Sequence, residues 1–180
     1  MQMRLMLRNA WISNALRLSS LIGVILCITF NPAALAKKPA IGEPAPDFTL
    51  RSDSPFNLRL SEQRGHIVVA VFWSSWCKSC NPMLESLSSL QDKYEEYGVK
   101  VWAISLDKEP EDAQHFNQHH NLGLTILYDD SFLVSERYDI EDLPSSAIFD
   151  RDGVVRYLND GYETGDTEKL DELLQKLVLE

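Results

Sequence analysis

The sequence contains little cysteine, with 3 residues among 180. Small exported domains that depend on a disulfide framework carry several cysteine pairs at wider spacing, so this chain does not belong to that class. Cys77 and Cys80 lie close together in the sequence, and the loop that they could close is too short to restrict the unfolded chain much. The pair is therefore suited to chemistry rather than to stabilising the fold.

Basic residues are also scarce, because 17 Lys and Arg stand against 27 Asp and Glu, which gives a formal net charge of −10. A nucleic-acid-binding surface needs clustered Lys and Arg to neutralise phosphates, and the sequence after residue 36 offers no such cluster. We expect no nucleic-acid partner. The sequence also shows no internal repeat and no low-complexity segment, and its length suits one domain with a targeting segment.

A long hydrophobic run is missing as well. Residues 21–30 form an apolar stretch of about ten residues, whereas a membrane-spanning helix needs about twenty. Arg4, Arg8 and Arg17 precede this stretch, and Ala34-Leu35-Ala36 follows it. This is the pattern of a secretory signal peptide, so we expect cleavage after Ala36 and a periplasmic or otherwise exported protein that is soluble after cleavage. An uncleaved N-terminal membrane anchor is the alternative.

Hydrophobic periodicity predicts alternating strands and helices after that segment. Residues 67–73 and 99–106 are apolar runs typical of strands, the first of them covered on both faces. Apolar residues recur at helical spacing between Met83 and Tyr97, and Gly98 is placed to end that helix. Further predicted elements are a hairpin at 48–60, a helix at 110–120, a strand at 124–128, a hairpin at 145–158 and a final helix at 170–178. This order predicts an α/β fold with a mixed sheet and helices on both faces.

The motif Trp76-Cys77-Lys78-Ser79-Cys80 directly follows the apolar run at 67–73. Two cysteines three positions apart at the start of a helix lie on one face, so their sulfurs can form a small disulfide. A helix N-terminus stabilises negative charge, and Lys78 adds a positive charge nearby, so Cys77 can be a thiolate near neutral pH. The motif therefore predicts thiol–disulfide exchange.

Three segments carry a family resemblance. Residues 72–80, with the pattern W-C-x-x-C, resemble the active site of the thioredoxin superfamily. Residues 41–50 resemble the G-x-x-A-P-D-F-x-L lead of its redoxin branch, which includes TlpA, ResA and CcmG, and residues 143–153 are similar to the P-T-T-F-x-I-D-x-x-G segment of that branch. The resemblance implies a thioredoxin-like mixed β-sheet flanked by helices, with an N-terminal β-hairpin and a central βα insertion. The expected domains are a signal peptide at 1–36, a short, loose tether at 37–43 and the thioredoxin-like domain at 44–179.

The resemblance also implies residue roles. Cys77 is expected to be the attacking thiol and Cys80 the resolving thiol of a redox-active disulfide, and Pro144 is expected to be a cis-proline that lies against it. Trp76, Lys78 and Leu143 are the expected supporting and substrate-contacting residues. No cofactor and no metal are implied.

The function implied by the resemblance is that of an exported disulfide reductase acting on protein cysteines, as in cytochrome c maturation or metal-site assembly. The expected partners are a protein disulfide or thiol substrate and a membrane thiol electron donor of the DsbD or CcdA type. A disulfide oxidase or isomerase is the alternative. A redoxin-type peroxidase and a copper-delivery protein fit less well, because Ala70 replaces the proline of the peroxidase pattern and only two residues separate the cysteines.

The sequence departs from its relatives at several positions. Val71 occupies the place of the buried acid of thioredoxins, so proton transfer must use water or another group. Met83 stands where TlpA-like reductases often have Glu, while Glu85 stands where many members have proline and is expected to face solvent. The Lys78-Ser79 dipeptide is unusual, since its second position is often proline.

A histidine group on the predicted helix at 110–120 is a candidate metal site. His115 and His119 share one helix face, and Asp112 lies within reach by spacing. No thiolate is near to complete a closed site, so a solvated helix surface is the favoured interpretation.

Overall fold

The structure is a computed structural model that describes residues 39–163 and 165–180. The predicted signal peptide and the first two residues of the predicted tether lie outside the described residues. The strands are β1 (Thr49–Ser52), β2 (Leu58–Arg59), β3 (Ile67–Trp73), β4 (Val99–Ser105), β5 (Thr125–Tyr128), β6 (Ser145–Phe149) and β7 (Val155–Asn159). The α-helices are α1 (Cys80–Tyr94), α2 (Pro110–His120), α3 (Leu133–Tyr138) and α4 (Asp166–Leu177). None of the helices described is long and apolar enough to cross a membrane.

The strands form one mixed sheet in the order β2-β1-β5-β4-β3-β6-β7. β3 pairs in parallel with β4, which pairs in parallel with β5, and these connections contain α1 and α2. β6 joins the other side of β3 in antiparallel orientation, and β7 follows it as a hairpin. The predicted N-terminal hairpin is β1 and β2, and it extends the far edge beside β5. The predicted α/β class, with a mixed sheet and an N-terminal hairpin, is confirmed.

β3 lies near the middle of the sheet, and all seven of its residues are buried. Successive side chains of a strand point to opposite faces, so the run of apolar residues supplies both layers of the core. On one face, Val69, Val71 and Trp73 pack with the helices α1, α2 and α4. On the other face, Val68, Ala70 and Phe72 pack with α3 and with the segment that carries Phe48 and Leu50. The prediction of a central strand covered on both faces is confirmed.

The helix after the cysteine motif ends as predicted near Gly98. α1 stops at Tyr94, a 3-10 turn covers Glu95–Tyr97, and Gly98 then adopts a left-handed backbone with φ of 78°. Glycine adopts the left-handed conformation at a helix end at little cost in free energy, because it has no Cβ. The chain thereby turns directly into β4, whose backbone begins beside that of β3.

Part of the predicted tether is attached to the sheet. The Gly42 amide donates to the Val155 carbonyl at 2.8 Å, and the Val155 amide donates to the Glu43 carbonyl at 2.9 Å. Pro44 continues this contact as an antiparallel bridge to Val154. The expectation of a loose tether is therefore corrected at residues 42–43, because their backbone satisfies the hydrogen-bonding groups of an otherwise open strand edge.

The packing of α4 on α1 includes a charged contact that predicts a pH dependence. Asp171 accepts hydrogen bonds from Lys93 Nζ at 2.6 Å and from the Tyr94 hydroxyl at 2.7 Å. The Lys93 hydrogen bond holds the pKa of Asp171 below its ordinary value of 3.8. A carboxyl group whose pKa is lower in the folded state stabilises that state at pH values above the pKa of the unfolded chain. This stabilisation is lost as the pH falls through the pKa of the folded state.

We expect Asp171→Asn to lower the free energy of unfolding by about 1 kcal/mol or less at pH 7, since the pair is partly exposed to solvent. Urea unfolding at pH 7 and at pH 3 measures the effect, which should shrink at the lower pH. Asp92→Asn, at an exposed position of α1, is the control. An unchanged difference between Asp171→Asn and the parent protein across this pH range would contradict the assignment.

Candidate active site

Cys77 and Cys80 form a disulfide at the point where β3 leads into α1. The S–S distance is 2.07 Å and the two Cα atoms are 5.4 Å apart. The Cys77 amide donates to the Ser74 carbonyl and the Cys80 amide to the Cys77 carbonyl, both at 3.1 Å, so two successive turns carry the chain into the helix. Cys77 is 6% exposed and Cys80 is fully buried. Of the two cysteines, only Cys77 therefore keeps any exposure to solvent.

The loop before β6 contacts the cysteine motif through Ser79. The Leu143–Pro144 peptide bond is cis, and the Ser79 hydroxyl, between the two cysteines, is 3.3 Å from the Leu143 carbonyl oxygen. Ser145 fixes the other end of the loop, because its hydroxyl lies 2.5 Å from the Asp142 carbonyl and 2.5 Å from Asp160 Oδ1. The predicted site residue Leu143 thus contacts Ser79 of the cysteine motif across 64 positions of sequence, and Pro144 is its neighbour in the chain.

The two tryptophans beside the cysteines differ in exposure. Trp73 is fully buried and packs on Phe116 of α2, with 5.0 Å between the ring centroids. Trp76 is 70% exposed, and Lys78 is exposed beside it. An aromatic ring and an ammonium group are therefore presented to solvent beside the disulfide.

Asp107 is a buried residue of the site that the sequence interpretation did not single out. It is 3% exposed and follows the end of β4. Its carboxylate accepts hydrogen bonds from the Ser75 amide at 2.9 Å, from the Ser75 hydroxyl at 2.8 Å and from the Ser105 hydroxyl at 2.8 Å. Buried charge is stable only when it is paired or hydrogen-bonded. Asp107 therefore holds the loop two residues before Cys77 in place.

A sequence signal for Asp107 did exist. It stands just after a predicted strand that follows the motif, and parallel neighbouring strands end at the same edge of a sheet. The observed register places Trp73 opposite Ser105, so the residues that follow these two strand ends are neighbours. The Ser79 contact with Leu143 had no local signal, since it depends on where the loop before β6 lies.

Other residues named from the sequence occupy different surroundings. Val71 in β3 and Met83 in α1 are both buried. Neither side chain is ionisable, so neither can transfer a proton. Glu85 is exposed, as expected. The rings of His115 and His119 on α2 lie 4.2 Å apart between centroids and are tilted by 34°. Among the described residues no group of three or more His, Cys, Asp or Glu is arranged to hold a metal ion.

We expect Asp107→Ala to lower the free energy of unfolding by about 2 to 3 kcal/mol, because buried donors lose a charged acceptor. Urea unfolding of the oxidised protein measures the loss, and hydrogen exchange of the Ser75 amide should become faster. The exposed neighbour Lys108 supplies the control, since Lys108→Ala should change stability by about 0.5 kcal/mol or less. Equal stability of the two variants would show that Asp107 does not anchor the loop.

Comparison with curated proteins finds relatives along most of the chain. The thiol-disulfide oxidoreductase ResA of Geobacillus kaustophilus is 29% identical over 163 residues, which cover 91% of each chain. The ResA of Bacillus thuringiensis subsp. konkukian is 29% identical over 141 residues, covering 78% of this chain and 80% of the relative.

Solved structures have the same fold. A crystal structure from Chlorobium tepidum that carries the name thiol:disulfide interchange protein DsbE is 28% identical, has a TM-score of 0.74 and covers 78% of this chain and 99% of its own. StoA from Bacillus subtilis is 22% identical with a TM-score of 0.60, covering 73% of this chain and 97% of its own, and it supports the fold alone. Residues 41–158 match the AhpC/TSA family. The chain belongs to this family, and its thioredoxin-like fold and Cys77–Cys80 disulfide are those of a thiol–disulfide oxidoreductase of the ResA and DsbE type.

Proposed function

We propose that this protein is an exported reductase of disulfides on protein cysteines. The observation that carries the proposal is the Cys77–Cys80 disulfide at the start of α1, in a motif whose Ser79 contacts the loop of the cis-proline Pro144. The ResA relatives support the reaction class. The direction of electron flow and the exported location are our inferences from the sequence.

The proposed reaction has two exchange steps. The Cys77 thiolate attacks one sulfur of a substrate disulfide, which forms a mixed disulfide and releases the other substrate sulfur as a thiolate. Cys80 then loses its proton and attacks the Cys77 sulfur, which forms the Cys77–Cys80 disulfide and releases the second substrate thiolate. Two electrons pass from the protein to the substrate, and protons from Cys80 and the solvent protonate the released thiolates.

Proton transfer in the second step does not use the carboxylate found in thioredoxins, since Val71 occupies that position and is fully buried. Cys80 is also fully buried in the disulfide form. We infer that a water molecule admitted with the substrate accepts the Cys80 proton. A thiol that must lose its proton to water benefits from the helix N-terminus, which stabilises the thiolate as it forms.

Substrate binding in this proposal uses the residues around Cys77. The indole of Trp76 offers apolar contact area, and the backbone of Leu143 and Pro144 can pair with an extended substrate segment, as in strand addition. A membrane thiol donor of the DsbD or CcdA type would return the protein to the dithiol state. Haem-binding cysteines of apocytochrome c and cysteines of a metal-site assembly protein are the substrate classes that the resemblance supports.

Export rests on the sequence of residues 1–36, which has a basic start, a short apolar stretch and an A-x-A pattern. In this proposal the signal peptide is cleaved after Ala36, and the thioredoxin-like domain at 44–179 works outside the cytoplasm. Retention of the segment as a membrane anchor is the alternative. Mass determination of the N-terminus of the exported protein distinguishes the two.

A disulfide oxidase or isomerase is the second candidate function. Lys78 is exposed in the motif, and the Ser79 hydroxyl lies 3.3 Å from Cys77 Sγ. A positive charge and a hydrogen-bond donor beside Cys77 both favour its thiolate, and a more stable reduced form makes the disulfide more oxidising.

Equilibration with glutathione redox buffers separates the two functions. For the proposed reductase we expect a reduction potential more negative than about −180 mV, the value typical of protein disulfide isomerase. The disulfide content is measured by alkylation and mass spectrometry, with the Cys77→Ser variant as the unreactive control. A reduction potential of about −120 mV, as in strong oxidants, would show that the protein is a disulfide oxidase instead.

Trapping of the mixed disulfide tests the exchange mechanism. In the Cys80→Ser variant the first step can occur and the second cannot, so we expect a disulfide-linked complex with the natural substrate to accumulate in the compartment where the protein works. Mass spectrometry after affinity purification identifies the captured protein. The Cys77→Ser variant is the control and should capture none. No captured partner, together with no dithiol activity of the parent protein, would refute the proposal.

A further inference from the structure

The hydroxyl of Ser79 lies between two groups of the active site. Its oxygen is 3.3 Å from Cys77 Sγ and 3.3 Å from the Leu143 carbonyl oxygen. A serine hydroxyl has a single proton to donate. Since neither a disulfide sulfur nor a carbonyl oxygen carries a proton, the two groups compete as acceptors for it.

The helix does not require this hydroxyl. Ser79 is the N-cap residue of α1, a position at which serine side chains commonly accept hydrogen bonds from the first turn. Here the side chain makes no capping hydrogen bond. The side chain instead contacts Cys77 and Leu143, which both belong to the active site. Removal of the hydroxyl therefore changes the site without removing a helix cap.

The better of the two acceptors depends on the redox state. A disulfide sulfur is a weak hydrogen-bond acceptor. The Leu143 carbonyl is therefore the stronger acceptor for the Ser79 hydroxyl when Cys77 and Cys80 are joined. A thiolate is a charged acceptor, and charge-assisted hydrogen bonds are about twice as strong as neutral ones. After reduction, Cys77 is therefore the stronger partner.

We propose that Ser79 is a further catalytic residue, whose hydroxyl donates to the Leu143 carbonyl in the disulfide form and to the Cys77 thiolate in the dithiol form. The proposal rests on the proposed exchange reaction at Cys77 and Cys80. Two electrons from the donor break the S–S bond and leave a thiolate at Cys77 and, with one proton from solvent, a thiol at Cys80. The Ser79 proton stays on its oxygen throughout, and only its hydrogen bond changes partner.

Two consequences follow from the change of partner. The dithiol form gains a hydrogen bond to a charge, which shifts the equilibrium of the couple towards reduction. The Leu143 carbonyl loses its partner in the same form, so it becomes free to accept a hydrogen bond from the backbone of an incoming substrate. The reduced protein would therefore bind a substrate segment at Leu143 better than the oxidised protein that remains after the reaction.

Substitution of Ser79 tests the proposal, with matched variants of the same helix. Ser79→Ala removes the hydroxyl, and Ser79→Thr keeps one. Ser86→Ala removes a hydroxyl of α1 that bonds the Pro82 carbonyl at 2.9 Å and touches neither cysteine. For Ser79→Ala we expect the equilibrium constant with glutathione to move about threefold to tenfold towards the disulfide, which is about 15 to 30 mV for a two-electron couple.

Two further measurements detect the hydroxyl itself. The pH midpoint of Cys77 alkylation should move to higher pH in Ser79→Ala and stay near the parent value in Ser79→Thr and Ser86→Ala. The carbonyl carbon of Leu143, labelled with carbon-13, should change its NMR shift on reduction of the parent protein. This change should be lost in Ser79→Ala, in which no hydroxyl leaves the carbonyl. Circular dichroism of each variant confirms that the fold is retained.

An unchanged glutathione equilibrium and alkylation midpoint in Ser79→Ala would overturn the proposal, as would an equal effect of Ser86→Ala. A Leu143 shift that responds to reduction equally in parent and Ser79→Ala would refute the change of partner. These readouts need only glutathione and purified protein. The proposed function fails separately, if Cys80→Ser captures no substrate and the parent shows no dithiol activity.

Discussion

The site depends on the pairing of β3 with β4 on one side and with β6 on the other. β4 runs parallel to β3, so both strands end at the same edge, and β6 runs antiparallel, so it begins there. The cysteine motif follows β3, Asp107 follows β4, and Leu143 and Pro144 precede β6. One hydrogen-bonded register thus brings together three segments that are distant in the sequence. A shift of this register by one residue would also turn the apolar side chains of β3 to the wrong faces, so packing of the core protects the geometry of the site.

Charge is divided between the two sides of the active-site loop. The Asp107 carboxylate lies behind the loop, where three donors from Ser75 and Ser105 satisfy it. The Lys78 ammonium is exposed on the solvent side. A buried carboxylate with a full set of donors anchors backbone, whereas an exposed ammonium has a weak, screened influence on its surroundings. Asp107 therefore shapes the loop, whereas Ser79 contacts Cys77 directly.

Much of the fold was predictable from local patterns. The uninterrupted apolar run of β3, the helical spacing of α1 and the position of Gly98 each identified an element, because burial and backbone preference act over a few residues. The attachment of residues 42–43 to β7 was missed, since a polar, proline-containing segment has no periodicity that announces an edge contact. Asp107 was missed for a related reason: a single acidic residue after a strand is common, and only the neighbouring strand end gives it a partner.

The sequence by itself predicted the reactive group, since two cysteines at helical spacing behind a buried strand favour exchange chemistry. It also indicated the family, through segments at both ends of the domain. The tertiary structure alone decided which distant segments meet at the cysteine motif. Asp107 reaches the loop through strand pairing, and Ser79 meets the Leu143 carbonyl across a separation of 64 residues. Contacts of this kind depend on the register and packing of whole elements, which no local pattern of residues encodes.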